Sequence, residues 1–202
     1  MVVEKARIPV IETGSGICHL FIDESANLEN AVQITLNAKL QRPGVCNAIE
    51  VLLVHDKIKD TFLPMLAKAI LGKAQLRCCE KTYPILSKTD GLDVVHAGKE
   101  DFNTEFLDTI LAVKSVSSVE EAIEHINTHN TKHSESILTK NIDNASLFQR
   151  RVDASCVYVN ASTRFTDGGV FGFGAELGIS TQKFHIRGPM GLSALTTTKY
   201  LI

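Results

Sequence analysis

The chain has no run of about 18 consecutive apolar residues, so nothing in it reads as a membrane-spanning helix. It carries no excess of charge either. The 21 Lys and Arg residues face 23 Asp and Glu, a formal net charge of −2, which gives no reason to expect nucleic acid or an anionic membrane as partner. Its glycines do not form a nucleotide motif. Gly172, Gly174 and Gly178 miss the G-x-G-x-x-G spacing and lie well past the preceding strand candidate, and G-x-x-x-x-G-K-[ST] does not occur. Internal repeats and low-complexity segments are missing too. Met1 to Lys5 lacks the basic and apolar regions of a secretory leader. The five cysteines are an odd number, and Cys78 and Cys79 are adjacent and badly placed to pair with each other; a reduced, cytoplasmic protein is the simplest reading.

What is present suits one large domain, or one domain with an appendage: 202 residues, 44% hydrophobic and 22% charged. Pro9–Ile11 and Leu20–Ile22 read as strands around Thr13-Gly14-Ser15-Gly16. Ser25 is placed to cap a helix with Leu28, Ala31, Val32 and Leu36 on one face. Val51–Val54 is an apolar strand, and a helix spans much of Ile58–Leu71, with a late start or kink expected at Pro64. Residues 72–103 look irregular. Ile110–Val113 reads as a strand, and Ser118-Val119-Glu120-Glu121 as a capping box before the stripe Val119, Ala122, Ile123 and Ile126. Ser136–Thr139 (strand), Asn144–Val152 (helix) and Cys156–Val159 (strand) follow. Strands alternating with helices predict an α/β domain with a largely parallel sheet flanked by helices. After Asn160 the chain turns glycine-rich, and its β-prone end, Thr196 to Ile202, offers an unpaired edge that could join another subunit's sheet.

Chemistry concentrates in two places. Pro43 and Gly44 break the preceding amphipathic segment and put Cys46 at a turn before an apolar strand. A thiol there is placed to act as a nucleophile, against the plainer reading of a structural cysteine, and a nearby helix end or cation would lower its pKa. The second place is Asn160 to Gly169, where Ser162, Thr163 and Arg164 leave a strand end together, the usual location of ligands in α/β folds. An ordinary capped turn is the competing reading, while the guanidinium suits a carboxylate. His125, His129 and His133 recur every four residues, but no carboxylate or cysteine completes a metal site, so a solvated helix end is preferred and no metal is expected. Glu105 by itself reads as a surface carboxylate.

Gln41-Arg42-Pro43-Gly44-Val45-Cys46-Asn47-Ala48 and Tyr158-Val159-Asn160-Ala161-Ser162-Thr163-Arg164-Phe165-Thr166-Asp167-Gly168-Gly169 closely resemble the γ-glutamyl phosphate reductase family of the aldehyde dehydrogenase superfamily. Phe173–Glu176, Ser180–Lys183 and His185–Leu192 extend the match, which runs from about Pro9 to the last residue. The resemblance implies an aldehyde dehydrogenase-like catalytic domain and NADPH-dependent reduction of L-glutamyl 5-phosphate to L-glutamate 5-semialdehyde, with release of phosphate, in proline biosynthesis. It makes Cys46 the nucleophile that forms a thioester, with its backbone N–H aiding the oxyanion. Glu105 falls where the superfamily holds the nicotinamide ribose. Ser162, Thr163 and Arg164 fall near the substrate's amino-acid end, with the carboxylate assigned to Arg164. Glu12 lies near the general base of hydrolytic relatives, which a phosphate-releasing reaction does not need.

Full-length members of that family are roughly twice as long. The expectation is therefore a catalytic domain over residues 1–160 and a substrate loop with a C-terminal oligomerisation segment over 161–202. The family's N-terminal cofactor-binding domain would be absent, leaving a homo-oligomer-forming fragment that holds the nucleophile but does not turn over alone. A non-catalytic assembly module, or an aldehyde dehydrogenase with another acyl substrate, is the alternative.

Overall fold

The computed structural model describes residues 2–202; Met1 lies outside the described residues, and side chains are described from Glu4 onward. The chain runs α1 (Val2–Lys5), β1 (Cys18–Ile22), α2 (Leu28–Leu40), β2 (Ile49–His55), α3 (Lys59–Ile70), β3 (Gln75–Cys78), α4 (Tyr83–Leu86), β4 (Val94–His96), β5 (Ile110–Val116), α5 (Val119–His129), β6 (Ser134–Leu138), α6 (Ile142–Arg151), β7 (Cys156–Val159), β8 (Gly178–Ser180) and β9 (Gly188–Met190). Single 3-10 turns lie at Lys99–Asn103, Thr163–Phe165 and Leu192–Leu195. The first seven strands form one sheet in the order β4-β3-β5-β2-β1-β6-β7, and every pair in it is parallel. β8 and β9 form a separate antiparallel pair, which Thr13 extends by pairing with Ser180.

Every residue of β1 and β2 is buried, as a central parallel strand covered on both faces requires. Alternation then divides the core. Leu20, Ile22, Leu52 and Val54 pack with Phe62, Leu63, Leu66 and Ile70 of α3 and with Ala31 and Val32 of α2. On the other face Phe21, Val51, Leu53 and Ala112 meet Val119, Ala122, Ile123 and Ile126 of α5 and Phe148 of α6. The stripe read in α5 is thus its buried face.

Several local expectations change. Pro9–Ile11 forms no strand. α2 is capped by Asn27, whose side-chain oxygen accepts from the Asn30 N–H at 2.8 Å, while Ser25 Oγ donates to Asp23 at 2.8 Å. Pro64 lies within α3, which starts at Lys59 rather than late. Residues 72–103 contain β3 and β4, the latter the edge strand of the sheet. Ser118 Oγ does accept from the Glu121 N–H at 3.2 Å, but the Glu121 carboxylate reaches the Ser117 N–H and hydroxyl instead of completing the box. His125 is buried, not solvated, because it lies on the inner face of α5, where Lys114 Nζ donates to its Nδ1 at 3.1 Å.

Burial, reinforced by His19 and Lys114, holds the His125 imidazole down to about 2 against an ordinary 6.5. Burial takes His133, just before β6, down to about 4. Below pH 6.5 the unfolded chain binds protons at these residues that the folded state refuses, so their contribution to stability is lost as pH falls from there. In urea unfolding, the stability of His125→Leu relative to the native chain should rise by up to about 1.4 kcal/mol per unit of acidification in that window. A difference that does not vary with pH would contradict this.

Candidate active site

Cys46 stands in the turn between α2 and β2, and its thiol is half-buried. Three neighbours hold the turn. Below it, Gly16 approaches so closely that a Cβ there would stand 1.6 Å from the Cys46 carbonyl oxygen, and only glycine can lie against it. Cys18 Sγ, buried at the head of β1, donates to the same carbonyl at 3.2 Å. From the side, Thr163 Oγ1 donates to the Asn47 carbonyl at 2.6 Å, and Asn47 Nδ2 returns a bond to the Thr166 carbonyl at 2.9 Å. The backbone that carries the sulfur is thereby fixed on both sides of it.

Glu105 reaches the same backbone from the segment before β5: its Oε1 accepts from the Gly16 N–H at 2.6 Å. Glu105 is therefore not a free surface carboxylate. Ser162 and Thr163 are buried. Ser162 Oγ accepts from the Arg164 N–H at 3.2 Å and Thr163 grips Asn47, so both hydroxyls build the site's frame. Arg164 is the member of that trio left to meet a ligand. Its Nε donates to Gln41 Oε1 at 3.1 Å, and its guanidinium borders a cleft of about 540 Å³ lined also by Ile34, Asn37, Ser162 and Phe165. Cys46 itself does not line this cleft; Arg164 does, and its charge is felt at the thiol.

The site's location differs from the usual rule. Gly16, Cys46 and Glu105 precede β1, β2 and β5, so they gather at the amino ends of the parallel strands, not the carboxyl ends. Ser162–Arg164 do leave the carboxyl end of β7, but the loop folds back across the sheet. Thr166 Oγ1 bonds Ser134 Oγ, at the first residue of β6, at 2.6 Å and Tyr158 Oη at 2.8 Å. That reversal brings Arg164 to the thiol.

The electrostatics also run against the expectation of a cation-activated cysteine. Burial, then the charges of Glu105 and Glu176, push the Cys46 thiol up, and its own backbone N–H and then Arg164 offset this only in part. Lys39 does not face the sulfur; it is buried against Glu50 at 2.6 Å. Glu176 entered the sequence reading only as part of the Phe173–Glu176 match, with no role assigned to it. Its carboxylate accepts from the Gly168 N–H at 2.8 Å, tying the glycine-rich loop to the site. Cys79 behaves oppositely. Burial raises it, but the Thr82 hydroxyl and the backbone N–H groups of Ser115, Thr82 and Lys81 outweigh that and bring it below the ordinary thiol value. His125 and His129 share a face of α5 with ring centroids 4.4 Å apart, whereas His133 lies beyond the helix and bonds Ser134 Oγ at 2.8 Å. No group of three or more His, Cys, Asp or Glu among the described residues is arranged to hold a metal ion.

Two outcomes follow from this geometry. Iodoacetamide near neutral pH should label Cys79 before Cys46, as read by peptide mass mapping, because both thiols are half-buried and Cys79 supplies more thiolate; faster labelling of Cys46 would contradict the electrostatics. Gly16→Ala should cost roughly 3 kcal/mol or more in urea unfolding, since backbone cannot retreat as a flexible side chain can; a loss under about 0.5 kcal/mol would show that the contact yields.

Comparison with known proteins agrees with this architecture. A profile of the aldehyde dehydrogenase family matches residues 92–199, just over half of the chain. The chain is 59% identical over 201 residues to the gamma-glutamyl phosphate reductase of Alkaliphilus oremlandii, covering 100% of this chain and 47% of that protein. It superposes on the crystal structure of gamma-glutamyl phosphate reductase from Thermotoga maritima with a TM-score of 0.92 at 54% identity, covering 100% of this chain and 49% of that one. On the Saccharomyces cerevisiae gamma-glutamyl phosphate reductase the TM-score is 0.60 at 35% identity, covering 82% of this chain and 40% of that one. The chain thus spans about half the length of the relatives it matches. With its parallel sheet, its backbone-clamped cysteine and these likenesses, the chain belongs to the aldehyde dehydrogenase family.

Proposed function

We propose that this chain carries the acyl-transfer chemistry of a cytoplasmic, NADPH-dependent reduction of L-glutamyl 5-phosphate to L-glutamate 5-semialdehyde. The observation that carries the reading is the half-buried Cys46, its carbonyl pinned by Gly16 and Cys18, with Glu105 and Arg164 charged beside it. The Cys46 thiolate attacks the acyl carbon. A C–S bond forms, the C–O bond to phosphate breaks, and phosphate leaves with the electron pair, so no hydrolytic water is used. The Cys46 backbone N–H faces the oxyanion that develops during attack. Arg164, held by Gln41, takes the substrate's α-carboxylate. Ser162 and Thr163 act through the backbone they hold.

The residues present suit a nicotinamide cofactor. Glu105 commits Oε1 to the Gly16 N–H, and its second oxygen has no partner among the described residues, which leaves an acceptor for a ribose hydroxyl. Bound NADPH would supply the hydride that reduces the thioester. Cys46 then releases the aldehyde and recovers its thiolate. Residues 161–202 are the proposed substrate loop and self-association segment, following the catalytic part at 1–160. Phe171, Phe184, Leu192, Leu195, Tyr200 and Leu201 are all exposed, the surface that association between copies would cover. No helix among the described residues is long and apolar enough to cross a membrane.

NADPH oxidation with L-glutamyl 5-phosphate is the test. The purified chain alone should not turn over. Adding the N-terminal half of a full-length relative should restore activity, and Cys46→Ala in that mixture should lower kcat at least about 1,000-fold. Arg164→Gln should raise KM about tenfold. Reconstituted activity that survives Cys46→Ala would contradict the mechanism.

A further inference from the structure

Lys39 and Glu50 form an ion pair at 2.6 Å in which both side chains are wholly buried. Their positions in the chain are informative. Lys39 lies in the last turn of α2, before the turn that bears Cys46, and Glu50 is the second residue of β2, after it. Glu50 is also the extra residue of a bulge, since β1 pairs Cys18 with Ile49 but His19 with Val51. The pair therefore closes the nucleophile turn across its base. Its reach is wider than that. Glu50 Oε1 accepts from the Leu107 N–H at 3.3 Å, and Leu107 holds φ of 54°, a left-handed conformation that non-glycine residues rarely adopt. The Leu107 carbonyl lies 3.5 Å from where a Gly44 Cβ would stand. So the segment that presents Glu105 is bonded to the same carboxylate that closes the Cys46 turn.

Stability alone does not account for such a pair. Replacing a buried ion pair with apolar residues of similar volume is often neutral or stabilising. We propose that Lys39 and Glu50 are positioning residues for the active site, holding Glu105 and the Cys46 turn in one fixed relation. This rests on the reading of Cys46 and Glu105 as partners in one site. Besides Glu105, the groups that bear on the thiol's charge are Glu176 on the glycine-rich loop and Arg164 after β7; Cys18 on β1 stays protonated because burial pushes it up.

The test is the pH profile of Cys46 alkylation in the 202-residue chain, resolved from Cys79 by peptide mass spectrometry. Glu105→Gln removes a negative charge beside the sulfur, so the midpoint should fall by at least about 0.5 pH unit. The Lys39→Met/Glu50→Leu double variant adds no net charge, yet it should lower the midpoint similarly while melting within a few degrees of the native chain. Adding Glu105→Gln to it should then produce little further fall, the non-additivity of residues acting as one unit. Glu50→Gln, which keeps the shape, should shift the midpoint the same way if the double variant does not fold. The proposal is overturned if the folded variants keep the native midpoint and Glu105→Gln retains its full effect on their background. If Glu105→Gln leaves the midpoint unmoved in the native chain, the partnership of Cys46 and Glu105 fails instead.

Discussion

The contact of Gly16 with the Cys46 carbonyl is the constraint on which the site depends. It sets one backbone directly on another with no side chain between them. Once that approach is made, the Gly16 N–H is turned toward Glu105, and Cys18, two residues on, is carried under the same carbonyl. The sheet makes the approach possible. β1 and β2 are adjacent parallel strands, so the residues entering them lie side by side at one end. The geometry of the site is thus inherited from strand pairing, and the loop after β7 only closes over it.

Electrostatically the site holds its sulfur back. Burial and two carboxylates disfavour the thiolate, and the Cys46 backbone N–H and one guanidinium favour it. A cysteine so placed is protected from indiscriminate alkylation and depends on close fit for reaction, whereas Cys79 has the lower pKa without a matched frame around it. A low thiol pKa and a rigidly held backbone are separate properties in this fold, and Cys46 has the second.

Much of the fold was legible because it rests on periodicity. β2 and β5 are apolar runs buried on both faces, and α5 carries its stripe at 3.6-residue spacing. β3 and the edge strand β4 escaped because both are short and partly exposed; Arg77 and Gln75 of β3 are only half-buried, and their ladder partner β5 is distant in sequence. The turn at Cys46 could be read from Pro43 and Gly44. The role of Gly16 could not, because a close approach leaves no mark in sequence beyond the glycine itself. The direction of the Cys46 pKa depends on Glu105 and Glu176, brought together only by folding. The amino-end location of the site was hidden for the same reason: nothing in Ser162–Arg164 announces that the chain doubles back.

The most direct measurement of the account is the intact mass of the chain after mixing with L-glutamyl 5-phosphate in the absence of any nicotinamide cofactor. Attack by a fixed sulfur on an acyl phosphate predicts one glutamyl adduct per chain, hydroxylamine-labile, mapping to Cys46 and lost in Cys46→Ser. An unmodified chain, or an adduct mapping to Cys79, would contradict it.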